Sequence, residues 1–372
     1  MHKAGNGDSF SVITDTEYIL IDGGTAQSFD DWKKQIFERT NRIDTLIITH
    51  IDNDHVNGII KLLDDPQCPE VIEVLFNGAE QLLGKIDETL KIDRNNDRKL
   101  KALIAENLEI NDKEKIGYSE GTSISFLLNQ KSLKCNNIVE NESIFREKIR
   151  KIKIGHTIFT ILGPTEKDLL LLKNEWETKL VQKKVNPKIL NKTSYLAFET
   201  YLQNLKISDS ENHPISSTTL NSIEALASSN FESDKSVTNQ SSFSFIIENN
   251  NKKFLYLGDC HTENVLSWLN ENKIEQIAVD AVKISHHGSK FNTSMDLLNR
   301  INCNKYLIST NGKVHNHPDL ETLARIIINN INKNIDIYIN YNLKSIPQWF
   351  LTELSNKYKN INLYMNSEEV DI

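Results

Sequence analysis

The feature that most constrains the fold is the segment 49–58, which places two histidines and two aspartates in a row of six positions behind the apolar run 46–48. Such a run predicts a buried strand, and the polar cluster lies on the loop that leaves it. A folded chain tolerates this density of carboxylate and imidazole poorly unless a cation neutralises it. The segment therefore indicates a metal site at a strand end, with a solvated acidic turn as the simpler alternative.

Metal-capable residues also follow other predicted strands. Asp22 follows the strand 18–21, and Asp259 follows the strand 254–257. Two pairs of histidines lie behind the apolar runs 282–284 and 306–309. One edge of a sheet sandwich would collect all of these residues, which is the arrangement that a two-metal hydrolase requires. The histidines of the two pairs are His286 with His287 and His315 with His317.

The motifs Gly-x-Gly-Asp, Asp-Gly-Gly, Thr-His-x-Asp-x-Asp-His-x-x-Gly, Gly-Asp, His-His-Gly-Ser and His-Pro occur in this order between about residues 4 and 318. In this order they resemble the metallo-beta-lactamase fold superfamily, and they are most similar to the branch that contains the hydrolase domain of ComEC-type competence proteins. The resemblance implies an α/β fold, the four-layer αββα sandwich, here with helical insertions. It leaves two long insertions and the C-terminal tail unmatched.

The resemblance also implies two divalent metal ions and a set of ligands for them. Asp22 would brace the site from behind by accepting hydrogen bonds from loop groups and from a ligand histidine. A plain turn aspartate is the alternative for Asp22. The implied ligands are His50 and Asp52 for the first ion, Asp54, His55 and His286 for the second, and Asp259 between the two ions.

Two features depart from the pattern of the superfamily. Asp52 stands where its commonest motif has a middle histidine, and the strand 157–162 ends in Gly163 and Pro164, where a further ligand is expected. His156 is the nearest histidine, but at about 3.3 Å per residue it lies roughly 20 Å back along that strand. We therefore expect His156 to have no metal-binding role.

Three residues are candidates for a direct part in catalysis. Asp54 belongs to the ligand motif, whereas His287 and His317 lie away from the expected ligand positions. Either histidine could contact a substrate oxygen or donate a proton. For His317, a structural role at a helix start before Pro318 is the alternative.

Two adjacent cations lower the pKa of a bridging water, so that metal-bound hydroxide is available near neutral pH. Zinc is the first expectation for the metal. A carboxylate-rich ligand set with fewer imidazoles also suits manganese or magnesium, and it favours anionic substrates such as phosphodiesters. The sequence thus predicts a metal-dependent hydrolase, and the resemblance points to a nuclease or another phosphodiesterase with DNA or RNA as substrate.

The net charge of −8 offers no overall basic field to a polyanion. Two local basic runs, 146–153 and 179–192, could nevertheless hold a phosphate backbone if they flank the metal cleft. Each could equally be an ordinary solvated helix face. A hydrolase of a small ester, lactone or cyclic nucleotide is therefore the alternative function. A third possibility is a degenerate or structural metal site in a subunit that binds a partner protein through the insertions, in a bacterial stress or antiviral defence system.

The motifs span most of the 372 residues, which predicts one hydrolase domain over 1–345, insertions at about 78–150 and 164–240, and a packed helix-strand extension over 346–372. No apolar run approaches the roughly 20 residues of a membrane span. We expect a cytoplasmic protein that does not contact a membrane, with its four scattered cysteines reduced.

Apolar spacing predicts helices at 79–107, 166–184, 194–205, 320–329 and 348–357, and a helix that starts at residue 59 after Gly58. The polar stretch 207–240 predicts a mobile loop with at most one short helix at 220–227, and this loop could serve as a lid.

Overall fold

The structure is a computed structural model that describes residues 1–86, 93–110, 123–210 and 222–372. Two sheets face each other and helices cover their outer surfaces, so the predicted αββα sandwich is confirmed. One sheet has four strands, in which β1 is antiparallel to β2 while β2, β3 and β4 are parallel. These strands are Phe10–Ile13 (β1), Tyr18–Ile21 (β2), Arg42–Ile48 (β3) and Glu70–Phe76 (β4).

The remaining strands are Lys151–Ile154 (β5), Thr157–Gly163 (β6), Ser244–Asn249 (β7), Lys252–Tyr256 (β8), Ile277–Ala278 (β9), Ala281–Lys283 (β10), Ile301–Asn302 (β11), Lys305–Ile308 (β12), Ile335–Ile339 (β13) and Ile361–Met365 (β14). Eight of them form the second sheet in the order β14-β13-β12-β10-β8-β7-β6-β5, and β9 pairs with β11 separately. Strands β5, β6, β7 and β8 pair antiparallel with one another in succession. From β8 onwards, through β10, β12, β13 and β14, each pair of neighbouring strands is parallel.

The helices are Phe29–Phe37 (α1), Asn53–Asp64 (α2), Ala79–Leu83 (α3), Arg94–Ile110 (α4), Ile124–Gln130 (α5), Glu166–Gln182 (α6), Lys192–Ser210 (α7), Ile223–Ala227 (α8), Val237–Gln240 (α9), Thr262–Glu271 (α10), Met295–Asn299 (α11), Leu320–Asn329 (α12) and Gln348–Lys357 (α13). None of the helices within the described residues is long and apolar enough to cross a membrane.

The space between the two sheets is filled by apolar side chains from both inner faces. Ile47 of β3 faces this layer together with Phe159 of β6 and Phe245 of β7, and all three are buried. Burial of each such side chain contributes roughly 1.5–3 kcal/mol to stability. The packed interior fixes the positions of the strand ends, and the loops that follow them carry the candidate site.

Helix α2 begins earlier than the sequence predicted, because Asp52 caps it. The Asp52 carboxylate accepts a hydrogen bond from the Asn53 amide at 2.7 Å, so the motif residues that follow form the first turn. Gly58 lies inside the helix instead of before it. A Cβ atom at Gly58 would lie 1.8 Å from the Gly23 carbonyl oxygen, so a close approach to the loop after β2 explains this glycine.

The described part of the stretch 207–240 packs against the sandwich, contrary to the prediction of a mobile loop. At most one short helix was predicted here, and α8 corresponds to it, but the stretch also contains α9 and the end of α7. Leu226 of α8 is buried, and the Asp234 amide donates to the Phe291 carbonyl at 3.0 Å. Residues 211–221 of this stretch lie outside the described residues.

The predicted helices at 166–184, 194–205, 320–329 and 348–357 correspond to α6, α7, α12 and α13. The helix predicted at 79–107 is not continuous, because α3 ends at Leu83 and Gly84 follows it, and α4 begins only at Arg94. Residues 87–92 lie outside the described residues. At the C-terminal end, α13 precedes β14, which forms the edge of the eight-stranded sheet beside β13. The division into domains remains a prediction.

Candidate metal centre

The candidate site lies at one edge of the sandwich, where four strands end. Asp22 follows β2 and His50 follows β3, which are parallel neighbours. Asp259 follows β8 and His286 follows β10, which are parallel neighbours in the other sheet. The loops are joined by backbone hydrogen bonds, from the Asp22 amide to Ile47 at 2.8 Å and from the His286 amide to Gly258 at 3.0 Å. The predicted gathering of polar residues at one edge is therefore observed.

The Asp259 carboxylate is the geometric centre of the site. Its Oδ2 atom lies 3.4 Å from Nε2 of His55 and 3.7 Å from Nε2 of His287. It lies 3.9 Å from Nε2 of both His50 and His286. Four imidazoles thus direct the same ring nitrogen towards one buried carboxylate, and the bridging role of Asp259 stays a prediction.

The opposite ring nitrogens of two of these histidines are fixed by Asp22 and Thr49. The Asp22 carboxylate accepts from the Thr49 hydroxyl at 2.7 Å and lies 2.8 Å from Nδ1 of His55. Because the Thr49 hydroxyl hydrogen points to Asp22, the hydroxyl oxygen accepts from Nδ1 of His50 at 3.0 Å. Both Nε2 atoms therefore present a lone pair to the centre when the rings are neutral. Asp22 thus contacts a loop hydroxyl and a candidate ligand histidine, and its role in bracing a metal site stays a prediction.

His287 is held in the same way from another side. Its Nδ1 atom lies 3.1 Å from the Ser309 carbonyl oxygen and 3.2 Å from Oδ1 of Asp8. Its Nε2 atom lies 3.3 Å from Oδ2 of Asp54, whose other oxygen lies 3.9 Å from Nε2 of His55. The structure therefore brings His287 into contact with the ligand motif, although sequence reasoning placed it away from the ligand positions.

The possible ligand atoms form overlapping groups within 4.8 Å, and none of these groups among the described residues contains His286. The group that contains Asp54 and His55 includes His287, whereas the sequence predicted His286 in this position. His286 lies beside Asp259, with its Nε2 atom 3.9 Å from Oδ2. Asp52 lies at the other end, with Oδ2 3.8 Å from Nε2 of His50. The groups are His50 with His55 and Asp259, Asp54 with His55 and His287, Asp8 with Asp22 and His55, and Asp8 with Asp259 and His287.

Asp8 and Lys283 belong to the site but were missed as site residues. The two side chains form a fully buried ion pair, and the Lys283 Nζ atom also lies 3.7 Å from Oδ1 of Asp259. Gly7 brings Asp8 close, since a Cβ atom there would lie 1.7 Å from the Asp54 carbonyl oxygen. One signal was available: a lysine at the end of an apolar strand is unusual unless the charge has a buried partner.

The field of these carboxylates dominates the titration of the histidines. Burial lowers the pKa of His55, but Asp259 and Asp22 together raise it well above its ordinary value. Burial also lowers the pKa of His287, but Asp259 and Asp8 outweigh this effect and raise the pKa to about 9. A field that retains protons on buried imidazoles also attracts a divalent cation, because both are responses to uncompensated negative charge.

The other predicted positions lie around this cluster. His317 is buried, with its ring centroid 5.5 Å from that of His286 and its Nδ1 atom 3.4 Å from Oδ2 of Asp319. His156 occupies the turn between β5 and β6, at the end of β6 opposite to Gly163, as predicted. Burial raises the pKa of Cys260 to about 12, which keeps the thiol beside Asp259 protonated.

The residues present fit a site for divalent cations. Carboxylate oxygens and imidazole nitrogens are the usual ligands of zinc and manganese, and each histidine is held by its second nitrogen as metal ligands are. Within the described part of the chain, the Nε2 atoms of His55 and His287 are buried without a hydrogen-bond partner. Such atoms are costly unless a further group binds them.

A family model described as the metallo-beta-lactamase superfamily matches residues 2–93. The matched segment runs from the loop that carries Asp8 through β3 to the first turn of α2 and beyond, so it contains half of the site. No curated protein sequence matches the chain. The family match and the clusters of ligand atoms together support a metal-dependent hydrolase as the class of this protein.

Proposed function

We propose that this protein hydrolyses phosphodiesters with two divalent metal ions held at the edge of the sandwich. The observation that carries the proposal is the convergence of four Nε2 atoms on Asp259 Oδ2, at 3.4 to 3.9 Å. One carboxylate surrounded by two pairs of imidazoles is suited to bridge a pair of cations. When bound, such cations acidify water and stabilise negative charge on the attacked phosphate.

Residues of the chain would hold the two ions, position the carboxylates and supply a proton. His50, Asp52 and Asp259 would hold one ion, and Asp54, His55, His287 and Asp259 would hold the other, with His286 completing the first group. Lys283 neutralises Asp8 and keeps the Asp259 carboxylate in place. His317 lies beside His286 with Asp319 behind it, where it could donate a proton to a leaving oxygen.

The preference for an anionic phosphodiester comes from the ligands. Asp52 takes the place of a histidine, so the centre is richer in oxygen ligands, which suits harder ions and phosphate oxygens. The similarity of the motifs to ComEC-type hydrolase domains points in the same direction and supports a nuclease.

One observation favours the second candidate function, hydrolysis of a small phosphodiester such as a cyclic nucleotide. Several basic side chains of the two runs that could hold a polynucleotide are engaged within the protein. Lys179 and Lys183 pair with Glu106 of α4. Arg146 is buried and donates to Glu271 at 2.6 Å and to the Asn264 carbonyl at 3.0 Å.

The helical insertions could also bind a partner protein in a defence system, as the sequence suggested. This role is compatible with an active centre, because it would use the surface of α3 to α7 instead of the edge that carries Asp259. Retention of a partner by a variant without metal would support it.

The test is a substrate panel with metal-free and reloaded protein. Protein stripped with a chelator and reloaded with zinc, manganese or magnesium is offered bis-p-nitrophenyl phosphate, cyclic nucleotides, single-stranded DNA, duplex DNA and RNA. Lactones and carboxylic esters serve as the contrasting class. Metal-dependent cleavage of phosphodiesters is expected, whereas activity confined to esters or lactones, or activity that survives complete metal removal, contradicts the proposal.

A further inference from the structure

The Asn292 side chain connects the candidate metal centre to the stretch 222–240, which precedes β7. Its Nδ2 atom lies 3.1 Å from Oδ2 of Asp234, 3.2 Å from the Asp259 carbonyl oxygen and 3.3 Å from the Cys260 carbonyl oxygen. Its Oδ1 atom lies 3.0 Å from Nδ1 of His286. Three acceptors around one end of the amide identify that end as the NH2 group, so the carbonyl oxygen must face His286.

This orientation favours one tautomer of the His286 ring. A carbonyl oxygen can only accept, so the contact with Asn292 at 3.0 Å requires a hydrogen on Nδ1 of His286. The Asn239 amide nitrogen also lies 3.3 Å from Nδ1, but its shorter hydrogen bond, at 2.6 Å, is to Asp234. In the neutral ring, Nε2 then has the lone pair, and it points towards Asp259 at 3.9 Å. This is the tautomer in which His286 can bind a cation through Nε2.

Asp234 holds the arrangement from the far side. Its Oδ2 atom accepts from the Asn239 side chain at 2.6 Å and lies 3.5 Å from Nδ1 of His286 and 3.7 Å from Nε2 of His261. Carboxylate oxygens accept hydrogen bonds, so Asp234 holds the NH2 end of Asn292 towards itself and leaves the carbonyl end towards His286.

We propose that Asp234 is a positioning residue of the metal centre: it fixes the Asn292 amide, which in turn sets the tautomer and direction of His286. The inference rests on the proposed metal centre. It assigns to the stretch 222–240, which the sequence described as a loop or lid, a part in metal affinity. Asp234 binds no metal itself.

A buried aspartate can also serve only to hold a segment, and Asp168 provides a matched control for that role. Asp168 is 3% exposed, and it accepts from Gln240 at 2.8 Å and from Asn264 at 3.1 Å. It therefore anchors the same stretch of chain, and the hydrogen bonds described for it involve no histidine.

The experiment measures metal affinity and coordination in Asp234→Ala, Asn292→Ala, the double variant and Asp168→Ala. Metal-free protein is titrated with zinc against a chelating dye, and the visible bands of the cobalt-loaded protein report the ligands. We expect Asp234→Ala and Asn292→Ala each to weaken one binding event by roughly 10–100-fold, as the loss of a partner behind a ligand histidine does. The double variant should resemble either single one, whereas Asp168→Ala should lose stability and keep the parent's zinc affinity and cobalt bands.

Asp234→Asn is the conservative variant, since its carbonyl oxygen can still accept from Asn292 and Asn239. It should recover most of the affinity that Asp234→Ala loses. A loss as large as that of alanine would show that charge acts instead of orientation, and would overturn the inference. If Asp234→Ala does not fold, Asn292→Ser gives the same test, because serine stays polar but cannot reach from Asp234 to His286.

Different results would contradict the positioning role of Asp234 and the proposed metal centre. Unchanged zinc affinity and cobalt bands in Asp234→Ala, with tight binding by the parent, would overturn the positioning role and leave the metal centre intact. A parent protein that binds neither zinc nor cobalt would contradict the proposed function itself.

Discussion

Two groups of charged residues stand out in the sequence: the aspartate and histidine cluster at the sandwich edge, and the lysine-rich end of α6. In the fold they differ in burial and in the charges that surround them. His55 and Asp259 are fully buried, and the buried Lys283 pairs with Asp8 and lies 3.7 Å from Asp259. Lys183 is 36% exposed and pairs with Glu106. The comparison indicates that a dense group of charged residues points to a functional site only where the residues are buried and nearby opposite charges do not balance them.

The largest expected effect comes from removing the centre of the buried cluster. Asp259→Ala and His55→Ala should reduce hydrolysis below detection, because each removes an atom that lies among the other ligand atoms. The backbone of both residues lies at the sheet edge, so circular dichroism should show a folded sandwich. His156→Ala is the matched control and should stay within a few fold of the parent, since this residue lies at the far end of β6. Full activity in a folded Asp259→Ala protein would remove the two-metal proposal.

Lys283→Met tests whether the buried lysine of the cluster compensates for the carboxylate of Asp8. Removal of one partner from a buried ion pair costs about 3–5 kcal/mol, because the other charge is left uncompensated. Urea denaturation of metal-free protein should show this loss. The double variant with Asp8→Asn should recover part of the stability, and a double variant that is less stable than Lys283→Met would contradict the role of the pair.

The gathering of the candidate ligand residues could be predicted from the sequence, since they occupy short motifs behind apolar runs. The parts that could not be predicted depend on tertiary contacts. His287 reaches Asp54 because its Nδ1 is held between Ser309 and Asp8, which are distant in sequence. Asp234 lies in a polar stretch with no periodic pattern, so its contact with His286 had no sequence signal.

The fold was predictable for a similar reason. Long apolar strands and amphipathic helices such as α12 and α13 appear at the expected positions, because their patterns are local. The start of α2 was placed wrongly, because Asp52 has two possible roles in a sequence. It can be a metal ligand, or it can cap a helix, and the structure shows that it caps α2 while its other oxygen faces His50.

His2 offers a second comparison with His55, because it is also buried but its hydrogen-bond partners are neutral. Its ring nitrogens contact Gln35 at 2.8 Å and Ser11 at 2.7 Å, and burial lowers its pKa to about 3. In the unfolded state His2 therefore binds a proton near pH 6.5, whereas in the folded state its ring stays neutral. The free energy of unfolding consequently decreases as the pH falls below 6.5.

Between pH 7 and pH 5, the parent should lose about 2 kcal/mol more stability than His2→Gln does. Urea denaturation of both proteins at the two pH values measures the difference. Parallel losses in the two proteins would show that His2 can be protonated within the fold.

The smallest effect is expected at the lysines of α6. Lys183→Gln with Lys184→Gln should leave turnover of a small phosphodiester within a few fold, because Glu106 already neutralises Lys183. The salt dependence of DNA binding should also match that of the parent. A slope shallower by roughly one unit per lost phosphate contact would show that the run contacts a polynucleotide, and would favour the nuclease over the small-substrate enzyme.

The most direct test of the metal centre is the number of divalent ions bound to the chain, measured by calorimetric titration of metal-free protein and checked by elemental analysis. The geometry around Asp259 predicts two ions for the parent and for His156→Ala, and the loss of at least one ion in Asp259→Ala. A parent that binds no zinc, manganese or magnesium, or an Asp259→Ala protein with the parent's full metal content, would contradict the central claim.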